Sequence, residues 1–328
     1  MNYGVMPLRE FPVPRIVSSR CLEFEACRYN GLIIRSSIVE NLKKHVKFHP
    51  ICPEVEIGLG VPRKPVRVSY LDGRISLLQP ETGLNLTDKM NEFSESFLNS
   101  LPDIDGFILK NKSPSCGIKS IKVYDGFNDS RIRGDGVGLF AASVMDKFHQ
   151  LPVEDEGRLR NLMIRENFLT RIFTLADFRE LRESGDFNDL IDFQTRNKLL
   201  LLSYSQKYVR KMGNILSNHS EHSLDDVKDN YGDMLLAALS EPQRVPSNIN
   251  VLMHAFGYFS NNLKSPEKMF FMDSLQKYRE GRLPLLAIIN LLKSWIIRFD
   301  EEYLLKQTFF EPYPEDLIQV TFIFDRMA

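Results

Sequence analysis

The chain has 328 residues, 43% of them hydrophobic and 26% charged, with 42 Lys and Arg against 43 Asp and Glu. That balance excludes a disordered polyelectrolyte and a strongly basic nucleic-acid binder, and the length favours two domains, each able to bury an ordinary core. Met1–Arg15 has no apolar h-region of a secretory leader, and the apolar stretch from Leu283 meets Lys293 well short of the roughly 20 residues a membrane span needs, so a cytosolic protein without a membrane partner is expected.

Arg15–Ser19 (RIVSS) reads as a short strand leading into Cys21. Ser36–Val46 has helical periodicity, with Ser36 or Ser37 as its cap, and Lys47–Ile51 follows as a strand into Cys52. Val66–Leu78 places Asp72 and Gly73 between β-rich arms, which is a hairpin signal. Thr87–Leu101 is an amphipathic helix, Ile104–Lys110 a strand, and SPSCG (Ser113–Gly117) the loop after it. Val137–Phe148 closes the region as another helix, and Gly134–Gly136 before it could offer backbone donors at a helix start. This alternation predicts a parallel-type α/β sheet with a hairpin insertion over residues 1–150. Residues 151–186 are charged and helical, a connector. From Phe187 the chain reads as helices throughout (187–213, 223–240, 247–263, 265–280 and 284–306), so residues 187–328 are expected to form an all-α bundle.

Four cysteines are present, Cys21, Cys27, Cys52 and Cys116. In a reducing compartment they are not expected to form disulfides, which leaves buried thiols, a reactive thiol or metal ligands. Cys21, Cys52 and Cys116 each follow the carboxyl end of a predicted strand. In an open parallel sheet those ends gather on one edge, where ligand sites form at the switch in strand order, so three thiols distant in sequence can converge. Cys27, six residues after Cys21, reads equally well as a core thiol. The spacing matches no CxxC zinc ribbon or ferredoxin run, and the residues alone do not choose a metal. No GxGxxG, P-loop or HExxH pattern occurs.

SRCLEFEACRYNG (Ser19–Gly31), CPEVEIGLGVPR (Cys52–Arg63), LKNKSPSCG (Leu109–Gly117) and YDGF (Tyr124–Phe127) together resemble the thiouracil desulfidase family, in the same order over nearly all of the first 150 residues. LLLLSYSQKYVRKMG (Leu199–Gly213), NVLMHAFGYF (Asn250–Phe259) and YREGRLPL from Tyr278 are similar, more loosely, to the helical partner domain of the tRNA 4-thiouridine desulfidases. That second likeness departs at Phe193–Lys198 (FQTRNK), where relatives carry an FHxRHK-like segment.

The resemblance implies a 4Fe-4S cluster held by Cys21, Cys52 and Cys116, one iron lacking a protein ligand, and Cys27 outside the set. It implies non-redox removal of sulfur from 4-thiouridine in tRNA, giving uridine and hydrosulfide. Such chemistry needs a base for water, and Glu54 is the candidate, two residues from Cys52. Ser113 and Ser115 are candidate hydrogen-bond donors beside the reacting centre. Lys110 and Lys112 would offset an anionic cluster or meet a phosphate, and Arg28 and Asn30 are candidate substrate contacts. Two alternatives stay open: desulfidation of free thiouracil or thiouridine nucleotides, and an RNA-binding module with a structural metal and no turnover. For tRNA, phosphate contacts are sought among Arg63, Lys64, Arg67, Arg158, Arg160, Arg165, Lys207, Arg210 and Lys211. Tyr204, Tyr208 and Phe259 are either stacking groups or core, and His254 is expected in the core.

Overall fold

From Arg15 the chain runs β1 (Arg15–Ser19), α1 (Ser37–Leu42), β2 (Lys47–Ile51), a one-turn helix α2 (Pro53–Glu56), β3 (Arg67–Leu71), β4 (Arg74–Gln79), β5 (Leu84–Asn85), α3 (Thr87–Ser100), β6 (Gly106–Leu109), β7 (Ile121–Asp125), β8 (Arg131–Gly136), α4 (Leu139–Lys147), β9 (Val153–Asp155) and α5 (Leu162–Ser184). These elements come from a computed structural model that describes residues 9–318. The leader reading over Met1–Arg15 and the end of the helical segment lie partly outside the described residues.

Two sheets form. One is wholly parallel, in the order β2-β1-β6-β9. Its inner strand β6, GFIL, is buried at every residue, as a strand covered on both faces must be. The chain leaves β1 to one side for β2 and later returns to its other side for β6, so the strand order switches at β1. Gly106 opens β6 because a Cβ there would sit 2.8 Å from the Pro152 carbonyl, to which Phe107 N–H donates at 2.9 Å. Ser36 is the cap of α1; its Oγ accepts the Val39 N–H at 3.5 Å, and Ile38, Val39 and Leu42 turn inward.

The hairpin is present as expected, inserted in the chain between β2 and β6. β3 and β4 pair antiparallel around Asp72 and Gly73, whose φ values of +50° and +82° suit a two-residue turn of left-handed residues. They belong to a second sheet in the order β5-β4-β3-β7-β8, built when β7 docks parallel to β3. Val68, Leu77 and Val123 of this sheet share a core with Val17, Phe107 and Phe140. Two smaller readings are corrected. Val153–Asp155, within the stretch taken as helical connector, is a sheet strand paired with β6. Gly134–Gly136 ends β8 and does not start a helix; Gly138 caps α4 instead.

The chain divides inside α5, into a unit reaching Ala176 and another spanning Asp177–Asp316. The second is helical: α6 (Phe187–Arg196), α7 (Lys198–Tyr204), α8 (Gln206–Ser217), α9 (Leu224–Leu239), α10 (Val245–Gly257), α11 (Ser265–Arg279), α12 (Leu285–Phe299) and α13 (Glu302–Leu305). What reads as one helix over 187–213 is three, because Asn197 and Ser205 turn the chain. The FQTRNK departure lies at the first turn: Arg196 Nη2 donates to Asp177 at 3.0 Å, and Asn197 Oδ1 accepts from Thr308 at 2.7 Å. Tyr204 and Phe259 are core, whereas His254 is exposed, contrary to expectation. Among the described residues no helix is long and apolar enough to cross a membrane.

Candidate metal centre

The three cysteine-bearing loops leave adjacent carboxyl ends of the parallel sheet, and local hydrogen bonds fix each one. After β1, Arg20 N–H donates to the Ile51 carbonyl at 2.8 Å, and Ile34 N–H donates to the Cys21 carbonyl at 2.8 Å, folding the 21–34 loop back on the sheet. After β2, Cys52 caps α2, with Pro53 at the first helical position; its carbonyl accepts the Val55 and Glu56 N–H groups at 3.0 and 3.1 Å. After β6, Ser19 Oγ accepts the Lys110 N–H at 2.9 Å, tying the third loop to the first strand.

SPSCG is held from two sides. Ser113 Oγ accepts the N–H groups of Ser115 and Cys116 at 3.2 and 3.0 Å, and its carbonyl accepts Gly117 N–H at 2.8 Å. The first turn of α4 then donates outward: Gly138 N–H to Gly117, Leu139 N–H to Pro114 and Ala141 N–H to Ser115, at 2.8, 3.2 and 3.0 Å. Helix N-termini leave such donors without intrahelical partners, and here the loop carbonyls accept them. The approach is close enough that a Cβ on Gly138 would lie 2.5 Å from the Ser115 carbonyl oxygen. Gly138→Ala is therefore expected to cost about 1–3 kcal/mol, read as a lower melting temperature of the metal-free protein, with the Cys116 loop the first to loosen.

Cys21, Cys27 and Cys52 pack together with Val55, and Cys116 is buried beside them. All four line one cavity of about 170 Å³, along with Arg28, Tyr29, Glu54, Arg63, Lys110, Lys112 and Ser113. Cys27, which the family likeness leaves out of the ligand set, is fully buried within this group. Burial pushes the Cys21 thiol up to about 12, and nearby Cys52 adds to the effect. Burial likewise raises Cys116 well above its ordinary range, against an opposing hydrogen bond from Ser19. The hydrogen bond between Cys27 and Cys52 raises the former and lowers the latter, and the Val55 N–H and Arg63 also favour the Cys52 thiolate.

Glu54 is buried, and both carboxylate oxygens are engaged. Arg63 Nε donates to Oε2 at 2.8 Å and Nη2 reaches the same oxygen at 2.7 Å, while Ser115 Oγ donates to Oε1 at 2.9 Å. Ser115 itself is fully buried behind the carboxylate; Ser113 is the serine that faces the cavity. Lys110 lines the cavity but pairs with buried Glu156, whose Oε2 also accepts Asn111 N–H at 2.8 Å. Lys112 is exposed at the rim, and Arg28 lies 5.1 Å over the Tyr29 ring. Asn30 does not line the cavity: its Oδ1 accepts Leu32 N–H at 3.3 Å and builds the turn.

Arg63 is the residue that reading by charge misplaced. Its position 11 residues beyond Cys52 suggested a phosphate contact, but its side chain is only 6% exposed and points inward. Lys64 and Arg67 pair with Glu81 and Asp129, and Arg158 with Glu154.

The donor set fits an iron–sulfur core. Burial favours the neutral thiols of Cys21 and Cys116, and a cationic core that takes the place of their protons would offset the cost of burying the thiolates together. A single zinc ion would need its sulfurs each about 2.3 Å from one point, and among the described residues no three His, Cys, Asp or Glu side chains form such a set.

Residues 16–156 match the family described as 2-thiouracil desulfurase, and residues 198–314 match one described as a protein of unknown function, DUF1722. The uncharacterized protein YbgA of Escherichia coli (strain K12) is 33% identical over 151 residues, covering 45% of this chain and 89% of that protein. The uncharacterized protein YbbK of Bacillus subtilis (strain 168) is 32% identical over 131 residues, 37% of this chain and 85% of that protein. A solved structure, the 4Fe-4S-dependent thiouracil desulfidase TudS, aligns at 28% identity with a TM-score of 0.34, over 45% of this chain and 93% of that one. The chain belongs, through residues 16–156, to the 2-thiouracil desulfurase family, and carries a DUF1722 domain after it.

Proposed function

We propose that the protein is a 4Fe-4S-dependent, non-redox desulfidase that converts 4-thiouridine in tRNA to uridine. The supporting observation is the meeting of Cys21, Cys52 and Cys116 with a buried, doubly held carboxylate on one cavity at the sheet edge. Cys21, Cys52 and Cys116 would hold the cluster. When bound, a cluster with one iron free of protein ligands supplies a Lewis acid with affinity for sulfur, able to polarise a thiocarbonyl.

The chain's own residues do the rest. Glu54 accepts a proton from the attacking water, because neutral water is a poor nucleophile. Ser115 and Arg63 keep its two oxygens apart in function: one is tied to the hydroxyl at 2.9 Å, the other to the guanidinium at 2.7 Å, so the carboxylate cannot swing from the cavity. Ser113, its oxygen already anchored to two N–H groups, has its hydroxyl proton left to offer toward the cavity. Lys110 and Lys112 add positive charge, and Arg28 and Tyr29 line the same cavity. In balance, the carbon–sulfur double bond and one water give a carbonyl and hydrosulfide plus a proton. No electron is exchanged.

For the tRNA, α8 carries exposed Lys207, Arg210 and Lys211, and both lysines lie 5.5 Å from the Tyr208 ring. Such a face suits a phosphate backbone, with affinity falling steeply as salt rises. Anaerobic reconstitution followed by sulfide assays on 4-thiouridine in tRNA, on thiouridine monophosphate and on free 2-thiouracil tests the reading. Release from tRNA is expected; release from free base alone would favour the second reading, which the small cavity also allows. Cluster binding without release from any substrate would leave a structural metal site in an RNA-binding module.

Cys27→Ala is expected to retain the full iron content and visible absorbance of the cluster, because its hydrogen bonds to the site run through its carbonyl, which accepts from Cys52 Sγ at 3.9 Å and Arg63 Nη1 at 2.9 Å and survives loss of the sulfur. Iron analysis checks this directly. Loss of iron would make Cys27 a fourth ligand.

A further inference from the structure

We propose that Arg63 is a positioning residue of the desulfidation, acting through Glu54 and the Cys52 loop rather than on RNA; this rests on the desulfidase reading above. One guanidinium touches three parts of the site. Nε and Nη2 hold Glu54 Oε2 at 2.8 and 2.7 Å, Nη1 donates to the Cys27 carbonyl at 2.9 Å and the Gly60 carbonyl at 3.3 Å, and Nη2 lies 3.9 Å from Cys52 Sγ. Its backbone N–H donates to the Tyr29 carbonyl at 2.8 Å, so the Cys27 loop and the loop after α2 are stapled by one residue.

The geometry demands arginine. Guanidinium is always charged, has no acceptor and offers its donors in a rigid planar fork, so it can hold a carboxylate and two carbonyls at once. A lysine keeps the charge, but its three donors radiate from a single nitrogen and do not reproduce the planar fork that spans the carboxylate and both carbonyls. With the side chain 6% exposed, no solvent molecule freely takes over the lost contacts. The Ser115 hydroxyl alone would then hold Glu54, through one oxygen, and the carboxylate could rotate away from the position where water must be met.

Arg63→Lys and Arg63→Ala are compared with wild type and with Glu54→Gln after identical reconstitution. For Arg63→Lys, kcat is expected to fall by roughly 10–100-fold, with KM little changed and iron content as in wild type. In Arg63→Ala, added guanidinium chloride at millimolar concentration is expected to restore part of kcat, and to do nothing for Glu54→Gln. Hydrogen exchange of the metal-free Arg63→Lys protein should quicken in residues 27–31 and 52–60 and nowhere else. An unchanged kcat in Arg63→Lys, or iron content falling in step with kcat in both variants, overturns the assignment. If wild type turns over no thiopyrimidine, the desulfidase reading itself fails; the exchange measurement still decides whether Arg63 staples the two loops.

Discussion

Glu54→Gln is expected to lower turnover by roughly 10²–10⁴-fold, the usual worth of a general base, while the protein keeps its full complement of iron. Glutamine has the same shape, and its amide oxygen can still accept from Arg63, so the pocket stays formed. Its neutral amide is far too weak a base to take a proton from water. The variant also leaves the Arg63 charge, 6% exposed, without its counter-ion, at a cost of about 1–3 kcal/mol. A lowered melting temperature with intact cluster absorbance is the expected pairing. Glu54→Asp separates charge from place: the carboxylate remains but withdraws by about one bond length, and a shift of about 1 Å can cost 10²-fold. Stopped assays of sulfide release, normalised to bound iron, check both variants. Turnover equal to wild type in Glu54→Gln would remove Glu54 from the chemistry.

The second large effect is expected from serine at Cys21, Cys52 or Cys116. Changes to groups that merely support metal ligands cost roughly 10–100-fold in affinity; loss of a thiolate ligand should exceed that, leaving iron near background and sulfide release undetectable. The fold should survive each replacement, since the loops are anchored elsewhere. The Cys116 loop hangs on α4 through the Pro114, Ser115 and Gly117 carbonyls, and the Cys52 loop on the turn of α2. Far-UV circular dichroism of the metal-free serine variants should therefore match wild type. Cys27→Ala, changed equally deep in the same cavity, should behave in the opposite way, so the four variants together distinguish ligands from a buried neighbour.

The strand ends were legible because each cysteine follows a β-rich run, and a parallel sheet brings those ends together whatever the side chains between them. The Asp72-Gly73 hairpin was legible for a local reason, since few other pairs adopt two left-handed residues in succession. Its sheet was not: pairing of β3 with β7 joins residues far apart in sequence, and periodicity records a strand's faces without naming its neighbour. β9 escaped notice as three residues in a charged stretch, recruited because β6 has an open edge. Within the site, strand-end position and the family likeness singled out the three cysteines and Glu54, which line one cavity. Residue type did not separate Ser113 from Ser115, whose roles are set by which hydroxyl faces Glu54, nor turn-building Asn30 from cavity-lining Arg28. Arg63 was misread because a cation beside a loop looks the same whether its partner is a phosphate or a buried carboxylate. His254 was misread because the apolar neighbours of NVLMH occupy the other face of α10.

The proposed chemistry requires an inorganic core held by thiols from three strand ends, with one iron left to the substrate. Iron Mössbauer spectroscopy of the reconstituted protein, with and without 4-thiouracil, reads that arrangement directly. One of four iron sites should differ from the rest and should alone respond to the added thiopyrimidine. Four matching sites indifferent to it, or a spectrum that changes when Cys27 is removed and not when Cys116 is, would contradict it.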